Sequence, residues 1–233
     1  MNVVISGGTK GIGRAIAEAF ANKGANIAVA ARNVADIEAM QNTWKTTYPT
    51  QQLLTFEANL AKKEDVLAFG TFINEHWKQI DVVVNNAGTF IPGAIHEEAD
   101  GVLETLIETN LYSAYYLTRS LLPAMIANQS GHVFNICSVA SVKAYPNGGS
   151  YAISKFALLG FSKNLREELM PKGVKVTAIL PGATWSDSWK GVDLPEERLM
   201  QANDVADVIV ATYLLGPAAV VEEILIRPQL GDL

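Results

Sequence analysis

Short apolar runs alternate with longer amphipathic stretches along the chain, without a linker, repeat or low-complexity segment between them. The apolar runs predict strands at Asn2–Ser6, Asn26–Ala31, Leu53–Glu57, Ile80–Asn85, His132–Ile136, Lys175–Leu180 and Glu223–Ile226. Helical spacing predicts helices at Ile12–Lys23, Val34–Thr47, Lys62–Trp77, Leu103–Ala127, Tyr151–Met170 and Val205–Leu215. Gly24 is a stop for the first helix, and Pro181-Gly182 for the sixth strand. Unbroken apolar strands such as Val82-Val83-Val84 suit burial on both faces. The pattern therefore predicts an α/β fold, a single doubly wound Rossmann domain over residues 1–233. These seven strands would form a parallel sheet flanked by helices on both faces, joined by right-handed crossovers.

Composition narrows the function. Of 233 residues, 49% are hydrophobic and 18% charged, which describes a globular chain. No apolar run is long enough to cross a bilayer, so no membrane role is expected. The opening Met1-Asn2-Val3-Val4-Ile5 lacks a secretory pattern, and a lone Cys137 cannot form an internal disulfide; both suit the cytoplasm. A net charge of −6 argues against a nucleic-acid partner, which would need a basic face. No metal site is expected. A cytoplasmic enzyme or small-ligand binder remains.

Two local features carry chemistry. Ser6-Gly7-Gly8-Thr9-Lys10-Gly11-Ile12-Gly13 lies between the first strand and first helix. Glycines there let the backbone turn sharply and approach a pyrophosphate, whose charge a helix N terminus stabilises. A bare glycine-rich turn is the plainer reading, and the strand-before, helix-after context favours the dinucleotide. Tyr151 and Lys155 fall on one helical face, one turn apart. An ammonium near a phenol favours phenolate, as an acid/base role needs. Taken alone, such a pair is more often a surface pair.

Ser6-Gly7-xxx-Gly11-Ile12-Gly13, Asn85-Asn86-Ala87-Gly88 and Tyr151-xxx-Lys155 together resemble, in order and over essentially the whole chain, the motifs of the short-chain dehydrogenase/reductase family. The likeness is to its ordinary-length, 3-oxoacyl-carrier-protein reductase-like branch, with Ser6 replacing a more usual threonine. It implies a nicotinamide-dependent oxidoreductase that exchanges a hydride with a carbonyl or alcohol. Tyr151 would be the general acid/base, Ser138 would hydrogen-bond the substrate oxygen, and Asn110 would help hold a water next to Lys155. The implied proton route is Tyr151, ribose hydroxyl, Lys155, then that water. Implied cofactor contacts are Gly7, Thr9, Lys10, Gly11, Ile12 and Gly13 in the loop, and Asn59 and Leu60 near the adenine. Asn86, Ala87, Gly88, Tyr151, Lys155, Pro181 and Gly182 complete them, with either Thr184 or Ser186 at the nicotinamide carboxamide. Asn59 stands where the family more often has Asp.

The second strand ends Val29-Ala30-Ala31-Arg32-Asn33. Ala31 stands where an NAD-preferring member would carry an acidic residue, while Arg32 and Lys10 offer two cations to a 2′-phosphate. The expected cofactor is therefore NADP(H) in preference to NAD(H). Thr89-Phe90-Ile91-Pro92, Ala140–Asn147 and a substrate loop at about 184–202, with Trp185 and Trp189, lie on the ligand side. Loop capping is the plainer reading of Ser138, and nearby Ser141 and Ser150 suit that role better. An acyl-carrier partner would be strongly acidic, and Ala127-Asn128-Gln129-Ser130 lacks the cations to meet it. A small carbonyl or alcohol substrate ranks first, a 3-oxoacyl-[acyl-carrier-protein] substrate second, and a non-catalytic dinucleotide sensor last. Leu117, Leu121, Leu122, Phe156, Leu159 and Phe161 look apolar on more than one side of their helices, as a homodimer or homotetramer interface would require.

Overall fold

A computed structural model describes residues 1–186 and 194–231. The strands are β1 (Asn2–Ser6), β2 (Asn26–Ala31), β3 (Leu53–Glu57), β4 (Val82–Asn85), β5 (His132–Ile136), β6 (Lys175–Pro181) and β7 (Glu223–Ile226). The helices are α1 (Gly11–Ala21), α2 (Val34–Thr47), α3 (Lys63–His76), α4 (Val102–Ile107), α5 (Ser113–Ala127), α6 (Gly149–Leu169) and α7 (Ala202–Tyr213). All strand pairs are parallel, in the order β3-β2-β1-β4-β5-β6-β7. The order reverses between β1 and β4, so a crevice opens beyond their carboxyl ends.

Alternate residues of each strand feed different cores. Val3, Ile5, Ile27 and Val29 pack in one cluster with Ile16 and Phe20 of α1 and Ile209 of α7. Val4, Ala28 and Val83 pack in another with Phe69 of α3, Leu117 of α5 and Leu165 of α6. Both faces are covered, which is why the strands read as continuous apolar runs.

Most boundaries fall within one or two residues of the sequence pattern, and the departures at β4, α7 and Leu103–Ala127 have visible causes. β4 starts at Val82 because Asp81 is used as a clasp: its carboxylate accepts the Asn2 N–H at 2.7 Å, and its own N–H donates to the Asn2 carbonyl at 3.0 Å. α7 starts at Ala202, where Gln201 and Asp204 form a reciprocal capping box. The stretch read as one helix, Leu103–Ala127, is α4, a π-helical turn at Glu108–Tyr112 and then α5. Leu117, Leu121 and Leu159 are buried within this chain's own cores, whereas Phe156 is exposed. Among the described residues no helix is long and apolar enough to cross a membrane.

Candidate active site

The carboxyl end of β1 is tied to that of β4. The Ser6 hydroxyl accepts the backbone N–H groups of Asn86 at 3.0 Å and Ala87 at 2.9 Å. The Asn86 side-chain amide donates back to the carbonyls of Ser6 at 3.0 Å and Gly7 at 2.8 Å. This brace leaves no room at Gly13, where a Cβ would stand 2.2 Å from the Gly7 oxygen and 2.5 Å from Asn86 Nδ2. The N-cap residue of α1, Lys10, makes no side-chain capping bond, and the first turn holds no acidic residue. A Cβ at Gly11 would meet open space. An uncapped helix start beside an open backbone cradle fits a dinucleotide pyrophosphate. Thr9 lies in the loop and Ile12 in the first turn of α1, both partly buried.

At the end of β2, Ala31 is buried and Arg32 exposed. Lys10 is not held in reserve as the sequence suggests: its ammonium pairs with the Asp36 carboxylate at 2.9 Å. Asn59 is committed locally. Its N–H donates to the Asp65 carboxylate at 2.8 Å and its side chain accepts the Ala61 N–H at 3.3 Å. Leu60 beside it is buried.

Beyond β5, four polar side chains come together. Ser138 follows the strand, Tyr151 and Lys155 sit on the first turns of α6, and Asn110 lies in the π-helical turn. Lys155 is 6% exposed and donates to the Ile136 carbonyl at 2.9 Å, with its ammonium 5.9 Å from the centre of the Tyr151 ring. Burial pulls its pKa down to about 8, against a smaller upward pull from Cys137. Burial pushes the Tyr151 phenol up, and a hydrogen bond with Ser138 partly offsets this. Cys137 is a buried thiol pushed up to about 11 by burial.

Ser138 has a second occupation. Its hydroxyl accepts the Ala140 N–H at 3.1 Å, while the Ser141 hydroxyl accepts the Ser138 N–H at 3.1 Å. Capping is thus shared by Ser138 and Ser141, which corrects its assignment to Ser141 and Ser150. Ser150 binds Glu98 instead, through its N–H at 2.9 Å and its hydroxyl. Asn110 is fully buried and braces the loop after β4: its Oδ1 accepts the Thr89 N–H at 2.7 Å, and its Nδ2 donates to the Thr89 carbonyl at 3.1 Å and Ser154 Oγ at 2.9 Å. Gly88 adjoins this group, since a Cβ there would lie 3.2 Å from Asn110 Oδ1 and 3.5 Å from Lys155 Nζ.

After β6, the Gly182 N–H donates to the Ile226 carbonyl at 2.8 Å. The buried Thr184 hydroxyl donates to the Gly182 carbonyl at 3.0 Å, so its proton is used within the turn. Ser186 is partly buried, and Trp189 lies outside the described residues. Sequence reasoning missed Thr89, Glu98 and Ser154 as braces; each acts through a long-range bond or a helix contact that leaves no local pattern.

A family profile described as short chain dehydrogenase matches residues 1–197. The chain belongs to the short chain dehydrogenase family. As a family member it is an oxidoreductase acting on CH–OH or carbonyl groups. It is 33% identical over 239 residues to the sepiapterin reductase of Chlorobaculum tepidum, covering 99% of this chain and 97% of that protein. A metagenomic short-chain oxidoreductase solved in complex with NADP superposes with a TM-score of 0.84 at 29% identity, covering 98% of this chain and 97% of that one. The alcohol dehydrogenase of the archaeon Thermococcus sibiricus, solved with 5-hydroxy-NADP, superposes with a TM-score of 0.91 at 25% identity, covering 100% and 98%.

Proposed function

We propose that the chain is a single-domain, cytoplasmic, homo-oligomeric reductase of small carbonyl compounds that prefers NADP(H), with Tyr151 as its general acid. The observation that carries this reading is the convergence of Tyr151, Ser138, Lys155 and Asn110 beyond β5, joined to the glycine loop through Asn86–Gly88.

Each side chain has a definable task. Burial keeps the Tyr151 phenol protonated at neutral pH, the form that can donate to a carbonyl oxygen. Ser138 favours the phenolate left after that transfer, since its hydroxyl pulls the phenol pKa down against the effect of burial. With a pKa of about 8, Lys155 is mostly cationic at pH 7, and an ammonium 5.9 Å from the Tyr151 ring centre favours the same phenolate. Its bond to the Ile136 carbonyl orients the ammonium. Asn110 fixes Thr89 and so the wall of the site. A bound nicotinamide supplies or accepts the hydride. The NADP preference rests on exposed Arg32 and on Ala31 in place of a carboxylate, and agrees with the NADP ligands of the two solved relatives.

The test is Tyr151→Phe. With NADPH and a panel of small ketones and aldehydes, the variant should lose at least about 10²-fold in turnover while its NADPH affinity stays unchanged. Unchanged turnover on a substrate of the parent enzyme would sink the assignment.

A further inference from the structure

The proton donor is flanked by aromatic rings. Phe90 meets Tyr151 edge to face, with ring centres 4.8 Å apart and planes at 83°, and remains 44% exposed. Tyr145, 39% exposed, packs its ring against Gly148 one turn before Tyr151. Its phenol is pushed up by burial first and by Tyr151 second.

Phe90 is held from both sides. Asn110 pins Thr89 through both of its backbone polar groups, at 2.7 and 3.1 Å. Further along, the Glu98 carboxylate accepts the Ser150 N–H at 2.9 Å and the Ser150 hydroxyl, and the Gly93 N–H donates to the Asn147 carbonyl at 3.0 Å. Gly149 has φ +36°, and a Cβ there would stand 2.0 Å from Glu98 Oε1 and 2.3 Å from the Gly93 oxygen, so only glycine admits this clasp. Glu98 also places a carboxylate at the N terminus of α6, where the helix dipole favours it. A ring fixed in this way loses little freedom when another ring packs on it.

We propose that Phe90 determines specificity and Glu98 is a positioning residue, together forming a slot beside the Tyr151 hydroxyl for a flat aromatic ring that carries the reacting carbonyl. The proposal rests on the reading of Tyr151 as proton donor. Aromatic pairing is worth about two- to tenfold in affinity beyond area burial.

The test compares acetophenone with cyclohexyl methyl ketone, which match in heavy-atom count and differ in ring flatness. Binding to the NADP-loaded protein is measured by ligand-observed NMR, and kcat/KM with NADPH in parallel. Phe90→Leu should lower the aryl-to-cyclohexyl ratio by about two- to tenfold, chiefly through KM. Glu98→Ala should lower it similarly, while Glu98→Gln, whose amide oxygen can still accept the Ser150 N–H, should retain it. A ratio unmoved by Phe90→Leu overturns the slot, and one unmoved by Glu98→Ala overturns the positioning role. Phe90-dependent binding of acetophenone without turnover of either ketone would leave the slot standing and count against the reductase reading instead.

Discussion

If the chain prefers NADP(H) as proposed, Asp36 is the carboxylate that limits its grip on the 2′-phosphate. It holds Lys10 at 2.9 Å, and the two side chains are 23% and 56% exposed. At an effective dielectric of about 20, two charges about 4 Å apart would interact by about 4 kcal/mol. Solvation and side-chain entropy reduce an exposed pair of this kind to about 0.2–1 kcal/mol. Asp36→Asn breaks the ion pair with Lys10 and removes a negative charge beside it, and both effects favour an added phosphate. The NADPH dissociation constant should therefore fall by about 1.4- to 5-fold, with that of NADH unchanged. Helix α2 keeps its N-cap, because the Asn33 side chain accepts the backbone N–H of residue 36 at 3.2 Å. It loses about 0.3–1 kcal/mol of favourable charge in its first turn. Fluorescence titration with both cofactors at low and high salt reads the effect, which should shrink as salt screens the exposed charges. Equal changes for NADPH and NADH, or weaker NADPH binding, would refute the reasoning.

Two further outcomes follow from the braces and burial around the site. Gly13→Ala forces a methyl to within 2.2 Å of the Gly7 oxygen, so it should destabilise the fold by about 1–3 kcal/mol and weaken NADPH at least about tenfold; an unaltered Tm and Kd would contradict this. Lys155 has a folded pKa of about 8 against an ordinary 10.5, so between those values the unfolded chain keeps a proton that the folded one has lost, and stability from this group rises with pH. The penalty for burying the charge is fully present below pH 8, so the stability of Lys155→Met relative to the parent should fall by about 1 kcal/mol between pH 7 and pH 9, which urea unfolding at the two pH values would detect. A difference that stays constant or moves the other way would contradict the burial argument.

The sheet was legible because each parallel strand is covered on both faces and therefore reads as an unbroken apolar run, as Val82-Val83-Val84 does. The π-helical turn at Glu108–Tyr112 was not legible. A single widened turn between two regular helices leaves the apolar spacing on either side intact, so Leu103–Ala127 reads as one helix. The clasp between Glu98 and Ser150 was equally hidden, since it joins residues 52 apart and neither belongs to a local pattern.

Residue types in the candidate site were easier to read than their commitments. A serine hydroxyl has one donor and two acceptor sites, so Ser138 can cap Ala140 and bond Tyr151 at once, and sorting the serines into one role each was too strict. Asn110 shows the same limit more strongly. Both of its amide protons are used on Thr89 and Ser154, and Oδ1 already accepts one bond, so a water beside Lys155 would have only the remaining lone pair of this side chain. Lys10 extends the point from hydrogen bonds to charge. A cation in the glycine loop argues for a phosphate only after its existing carboxylate partner is counted, and that partner lies on a helix beyond the next strand. Arg32, exposed at the end of β2, consequently carries more of the NADP reading than the two cations taken together suggested.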